Sequence, residues 1–129
     1  MKKIAVIIDS KSIRLSLGKL LKWRGFDVFF FESEKDTKEQ IKHIDVLIID
    51  PFIPTEYLNN PNFPVSRGYE AGVYLIKECQ KINPGLDVLI YSSISVEGIK
   101  LAGLSELIAK KSMIMPEKFE DILERITTG

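Results

Sequence analysis

The chain has 129 residues with 18 Lys and Arg against 18 Asp and Glu, and its one cysteine is Cys79. This length is typical of one domain, and a hydrophobic share of 45% can build a core, which argues against disorder. A single cysteine excludes a disulfide scaffold and favours a reducing, cytoplasmic compartment. Because the net charge is zero, we expect no direct nucleic-acid partner and no membrane partner.

Short apolar runs alternate with segments of helical character along the chain. The runs are mostly continuous, which suits strands buried on both faces of a parallel sheet; they span residues 4–8, 26–31, 46–49, 88–91 and 107–109. Helical spacing or capping signals predict helices over residues 12–24, 33–42, 72–82, 95–102 and 116–127. This alternation predicts an α/β fold, a three-layer (βα)5 sandwich whose five-stranded parallel sheet carries helices on both faces.

One segment interrupts the alternation. Residues 51–68 contain four of the six prolines, together with several aromatic and asparagine residues. Prolines at this density forbid a continuous helix or an interior strand, so we predict a long loop. Loops of this length in a compact domain are usually functional or mobile. The loop follows the third strand, and its aromatic side chains are expected either to pin it to the surface or to bind a partner.

Polar side chains follow four of the five predicted strands. In an open parallel sheet, binding sites form at the carboxyl ends of the strands, where Asp9, Asp50, Ser92 and Lys110 are expected to meet. Two carboxylates and a loop carbonyl suit Mg²⁺, and a carboxylate can act as a nucleophile toward phosphorus. An ammonium and a hydroxyl would meet the charge of a transferred phosphoryl group. Each residue alone is more often a cap or a turn residue, and only their combination indicates phosphoryl chemistry.

The same segments carry a resemblance to a known family. Over essentially its whole length, the chain resembles the receiver domain of two-component response regulators, a single domain over residues 1–129 with a flavodoxin-like fold and here a long inserted loop. The matching stretches are IAVIID (4–9), DVLIID (45–50), GVYLI (72–76), VLIYSS (88–93) and GLSELIAK (103–110). The resemblance implies a signalling domain rather than an enzyme.

Site roles follow from this resemblance. Asp50 would be the phosphoacceptor, charged by a histidine kinase or a phosphotransfer protein, and Asp9, Asp50 and the Phe52 carbonyl would bind Mg²⁺. Ser92 would be the switch hydroxyl, and Lys110 would pair with the phosphoryl group. The output partner would bind the face formed by helix four, strand five and helix five, and a homodimer is a further option.

Three residues depart from the family's pattern. Ile8 stands where a second acidic residue is usual, so Mg²⁺ should bind more weakly; Leu107 replaces an aromatic switch residue, and Lys111 replaces a proline. These departures and the long loop favour an alternative, a degenerate receiver that binds proteins without phosphorylation. A nucleotide or flavin binder is a minor third option, because no glycine-rich phosphate loop is present.

Three further expectations concern individual side chains. Phe52 and Ile94 are apolar and flank the predicted acceptor, so they should impede hydrolytic water and slow the loss of a phosphoryl group. Cys79 and Trp23 lie on predicted helices; we expect Cys79 to be a core residue and Trp23 to be a packing residue rather than a binding platform.

Overall fold

Five parallel strands form one sheet in the computed structural model, which describes residues 2–58, 70–91 and 112–114. The strand order is β2-β1-β3-β4-β5, so β3 is central. Every pair of neighbours is parallel, which confirms the predicted sheet. The strands are β1 (Lys3–Ile7), β2 (Asp27–Phe30), β3 (Val46–Ile49), β4 (Asp87–Tyr91) and β5 (Ser112–Ile114).

The centre of the sheet is buried on both faces. All four residues of β3 are buried, as are the last four residues of β1. The two strands pair from Ile4 opposite Val46 to Ile7 opposite Ile49. Successive side chains point to opposite faces, so both faces need apolar residues, and this explains why the sequence runs are continuous rather than alternating.

Helices cover both faces of this sheet. Helix α1 (Lys11–Trp23) buries Leu17 and Leu21 in the apolar cluster on one face. Helix α3 (Glu70–Ile82) and the short helix α2 (Glu34–Gln40) lie on the opposite side, where α3 contributes Cys79 to the second cluster, as predicted. This arrangement gives the expected three layers. The predicted helices at 95–102 and 116–127 lie outside the described residues.

Polar contacts attach α2 to its neighbours. Lys38 bridges the buried Glu34, at 2.8 Å, and Glu78 of α3, at 3.3 Å. The hydrogen bond to Glu34 is the main reason that the pKa of Lys38 is raised, although partial burial opposes this shift. Tyr74 of α3 also donates a hydrogen bond to Glu34. A helix with few apolar residues is thus held by a network in which the buried carboxylate is paired.

The fifth strand does not lie where the sequence predicted it. It spans Ser112–Ile114 and pairs with β4 from Leu89 opposite Ser112 to Tyr91 opposite Ile114. Residues 107–109, where the sequence predicted this strand, lie outside the described residues. Two neighbouring apolar runs of about three residues cannot be distinguished by periodicity, so the sequence did not identify Ser112–Ile114 as a strand.

Trp23 also differs from its prediction. Trp23 is the last residue of α1, and 77% of it is exposed. The guanidinium of Arg24 lies 5.5 Å from the centre of the Trp23 ring. Trp23 is not a core residue. Helical spacing places Trp23 on the outer face of α1, because the inner face is set by Leu17 and Leu21.

Close packing of α3 on the loop after β3 requires a glycine. A Cβ atom at Gly72 would overlap the backbone of Pro51, which directly follows Asp50. Backbone atoms cannot move aside as a flexible side chain can. Gly72 therefore allows the first turn of α3 to contact the loop beside Asp50.

We expect Gly72→Ala to lower the free energy of unfolding by about 1–3 kcal/mol, the usual cost of overpacking. Urea unfolding measures this change. Gly85→Ala is the matched control, because a Cβ there would make only an ordinary contact with Asn83. Equal unfolding midpoints for the wild type and Gly72→Ala would show that the contact with Pro51 does not constrain the loop.

Candidate functional site

Asp50 stands at the carboxyl end of the central strand. Its backbone N–H donates to the carbonyl of Ile7 at 3.0 Å, which joins the end of β3 to the end of β1. Its side chain is half-buried, and Oδ1 accepts a hydrogen bond of 2.9 Å from the N–H of Phe52. This bond spans two residues and forms the Asx turn by which an aspartate fixes the loop that follows it.

Asp9 lies beside this carboxylate. It is exposed two residues after β1, and Ser10 next to it caps α1 by accepting from the N–H of Ile13. Burial raises the pKa of Asp50, the hydrogen bond from Phe52 lowers it, and the charge of Asp9 raises it again. The two predicted carboxylates therefore lie close enough to repel one another.

The donor set at this edge suits a hard cation. Two carboxylates with a repulsion between them, and a carbonyl at Phe52 in the adjacent turn, are the oxygen ligands that Mg²⁺ prefers. A divalent cation would remove the repulsion that raises the pKa of Asp50. Within residues 2–58, 70–91 and 112–114, no group of three or more acidic, histidine or cysteine side chains is placed to hold a metal ion.

Ile8 has a structural explanation. Only 3% of the residue is exposed, and it belongs to the apolar cluster that contains Leu17 of α1. The position that would supply a second carboxylate therefore helps to anchor α1 to the sheet.

A cleft of about 230 Å³ opens beside Asp9, and no pattern in the sequence predicts it. Its floor is apolar, and charged side chains stand around it; the lining residues are Ile7, Ile8, Asp9, Arg14, Phe31, Glu32, Ile53, Pro54, Glu56 and Tyr57. One wall is the first part of the inserted loop, where the buried Tyr57 hydroxyl contacts Thr37 Oγ1 at 2.5 Å. Tyr57 thus attaches the start of the loop to α2. This agrees with the expectation that aromatic side chains hold the loop to the surface.

Two of the predicted site residues lie outside the described residues. Ser92 directly follows β4, which ends at Tyr91, so its position in the chain still agrees with a site at the carboxyl edge. Lys110 precedes β5 by two residues, whereas the prediction required it to follow the strand. The chain position that follows β5 is Met115. The structure brings Asp9, Asp50 and Phe52 together and leaves the roles of Ser92 and Lys110 as predictions.

Comparisons with known proteins depend entirely on structure. No protein-family model matches the chain, and no curated protein matches its sequence. Among solved structures, the response regulator TrrA of Thermotoga maritima, in complex with Mg²⁺ and BeF, superposes with a TM-score of 0.73 at 18% identity, covering 99% of this chain and 98% of that one. Further response regulators of this kind also match. The chain has the receiver-domain fold.

Two further solved structures with a similar fold are a natural signalling complex and a designed protein. A structure of the P1 domain of CheA3 in complex with CheY6 from R. sphaeroides matches with a TM-score of 0.64 at 15% identity, covering 98% of this chain and 95% of that one. A de novo designed Rossmann 2x3 protein matches with a TM-score of 0.65 at 20% identity, covering 99% and 90%. Because a designed Rossmann protein also superposes on this chain, a likeness of fold does not decide the function, which must be argued from the site.

We expect Asp50→Asn to raise the urea midpoint at pH 7 in the absence of divalent cations. The raised pKa means that ionisation of Asp50 costs more in the folded than in the unfolded chain, so the penalty is complete above the folded pKa. The gain should shrink as the pH falls through the folded pKa and vanish well below 3.8, the ordinary value, because the carboxyl is then protonated in both the folded and the unfolded chain. Asn keeps an oxygen that can accept from Phe52.

The exposed Asp27 provides the control for removing a carboxylate elsewhere on the sheet. Asp27→Asn should not reproduce the pH-dependent gain. If Asp50→Asn instead lowered the urea midpoint by the same amount at pH 7 and at acidic pH, ionisation of Asp50 would not destabilise the folded chain.

Proposed function

We propose that this chain is a phosphoryl-accepting receiver, with Asp50 as the acceptor and a histidine kinase or phosphotransfer protein as the donor. One observation carries the proposal: a half-buried carboxylate at the end of the central strand, fixed by the N–H of Phe52 and placed beside Asp9. If Asp50 only stabilised the turn after β3, a second carboxylate nearby, Asp9, would serve no purpose. The complex of CheA3 P1 with CheY6 supports a donor of this class.

The proposed transfer uses Asp50 as a nucleophile. A carboxylate oxygen attacks the phosphorus of a phosphohistidine in line with the phosphorus–nitrogen bond, which breaks as the acyl phosphate forms. The imidazole nitrogen leaves with the bonding electron pair and is protonated. Phe52 N–H holds the carboxylate in a single orientation, and partial burial removes water that would otherwise stabilise its charge.

Mg²⁺ is the proposed cofactor, held by Asp9, Asp50 and the Phe52 carbonyl. When bound, it would neutralise the charge of the carboxylates and of the phosphoryl oxygens. With Ile8 in the core, two carboxylates remain, so binding should be weaker than with three. We further propose that Ser92 and Lys110 act on the phosphoryl group and that the output partner binds the face formed by helix four, β5 and helix five, with a homodimer as a further option.

A second candidate is a receiver that binds proteins without being phosphorylated. It is favoured by the burial of Ile8 and by the position of β5, which begins after Lys110. If Lys110 lay away from the carboxyl edge, the charge of a phosphoryl group would lose one of its expected partners. Both candidates are signalling roles in the cytoplasm, carried by one receiver-like domain over residues 1–129 with a loop at 51–68.

Amide spectra with Mg²⁺ and beryllofluoride separate the two candidates, since beryllofluoride on a carboxylate mimics a phosphoryl group. We expect shifts around Asp9 and Asp50 in the wild type and none in Asp50→Asn. Lys110→Ala should weaken the response, whereas the neighbouring Lys111→Ala should leave it nearly unchanged. No response in the wild type would favour the second candidate.

Equal responses in Lys110→Ala and Lys111→Ala would show that neither ammonium pairs with the group, in agreement with β5 at Ser112–Ile114. That result would remove Lys110 from the site but would leave Asp50 as the acceptor. The two parts of the proposal can thus fail separately.

A phosphoryl group on Asp50 should be lost slowly. Phe52 is apolar and only partly exposed, and we expect the apolar Ile94 also to flank the acceptor, so hydrolytic water should find few polar partners. Labelling with acetyl phosphate and Mg²⁺, followed by removal of the donor, measures the decay. We expect a half-life of minutes or longer and faster decay in Phe52→Asn; a half-life of seconds in the wild type would contradict the expectation.

A further inference from the structure

We propose that the outer face of α1 binds an anionic lipid surface. We call this surface the basic face; it consists of Lys11, Leu15, Lys19, Lys22, Trp23 and Arg24. The proposal rests on the charge and the exposure of α1, and it is independent of any phosphoryl chemistry at Asp50.

Positive charge is concentrated on this helix. Residues 11–24 contain five cations and no acidic residue, although the whole chain is neutral. The remaining residues therefore carry 13 cations against 18 anions. The three ion pairs found in the described part of the chain all join residues of α2 and α3, so none of them neutralises α1.

Two large apolar side chains stand among these cations. Leu15 is 53% exposed and Trp23 is 77% exposed. They are eight residues apart, which places them on one side of the helix about 12 Å apart along its axis, with Lys19 between them. Leu17 and Leu21 point the opposite way and hold α1 against the sheet. The outer face of α1 thus combines basic side chains with two exposed apolar ones, and no ion pair within residues 2–58, 70–91 and 112–114 involves it.

The neighbouring edge of the sheet extends this pattern. Phe30 of β2 is 37% exposed, and the ammonium of Lys22 lies 5.8 Å from its ring centre. Arg24 lies over Trp23 in the same way. Aromatic rings with cations beside them are typical of residues at the boundary between hydrocarbon and water.

The shape and chemistry of the basic face favour a membrane over other anionic partners. A single helix lying on a sheet is convex, so a planar surface can meet its cations together. Leu15 and Trp23 gain free energy at a hydrocarbon boundary, whereas a nucleic-acid backbone offers them little. Charges are screened beyond about 8 Å at physiological ionic strength. A lipid surface therefore interacts with the charges of the protein face nearest to it, and the zero net charge of the whole chain has little effect. The argument from net charge against a membrane partner therefore does not apply to α1.

Trp23 makes the test direct, because it is the only tryptophan in the chain. The full chain is mixed with vesicles of phosphatidylcholine alone, or of phosphatidylcholine with one third phosphatidylserine. We expect a blue shift of tryptophan emission with the anionic vesicles, none with the neutral ones, and reversal in high salt. An unchanged emission maximum with anionic vesicles would overturn the proposal.

Charge reversal identifies the surface. We expect Lys19→Glu combined with Lys22→Glu to lower the partition coefficient by at least about thirtyfold, since each cation near an anionic surface contributes roughly fivefold. The matched control reverses Lys42 and Lys77, two exposed lysines away from α1, and should change the coefficient less than twofold. Equal losses in the two double variants, or an emission shift with a short DNA duplex and none with vesicles, would contradict a lipid-binding role for the basic face.

Discussion

The pairing of β1 with β3 is the constraint on which the rest of the structure depends. Their register sets Ile7 opposite Ile49, and the N–H of Asp50 continues the ladder to the carbonyl of Ile7. Because parallel strands end at one edge, this register brings the residues that follow them, Asp9 and Asp50, near enough for the charge of Asp9 to raise the pKa of Asp50. The carboxylates come together as a consequence of burying apolar strands on both faces.

Packing around that pair decides what the site can do. Ile8 serves the core and leaves two carboxylates at the edge, while Gly72 lets α3 press against Pro51 in the loop that carries the acceptor. The inserted loop adds a wall, because Tyr57 fastens it to Thr37. The edge of the sheet therefore presents Asp50, held by the N–H of Phe52, together with Asp9. Two proposals therefore have to be distinguished by experiment: a phosphorylated receiver that binds Mg²⁺ weakly, and a degenerate receiver that is not phosphorylated.

The sequence predicted the elements whose apolar pattern is long or buried, and it was wrong where the pattern is short. Continuous runs identified β1 and β3, and the aspartates that follow them could be placed without a structure. A three-residue edge strand has no such pattern, and the sequence did not identify β5 at Ser112–Ile114. The expectation that Lys110 directly follows the fifth strand therefore does not hold for this strand. The exposure of Trp23 was also missed, because an aromatic residue on a helix is usually taken as core. The cleft beside Asp9 depends on tertiary contacts of the loop, which periodicity does not report.

The central claim is that Asp50 accepts a phosphoryl group. The most direct measurement treats the full chain with acetyl phosphate and Mg²⁺, traps the acyl phosphate by borohydride reduction, and locates the modified residue by peptide mass mapping. The account predicts one modified position, residue 50, and no modification in Asp50→Asn. Modification at Asp9 instead, or no modification of the wild type, would contradict it.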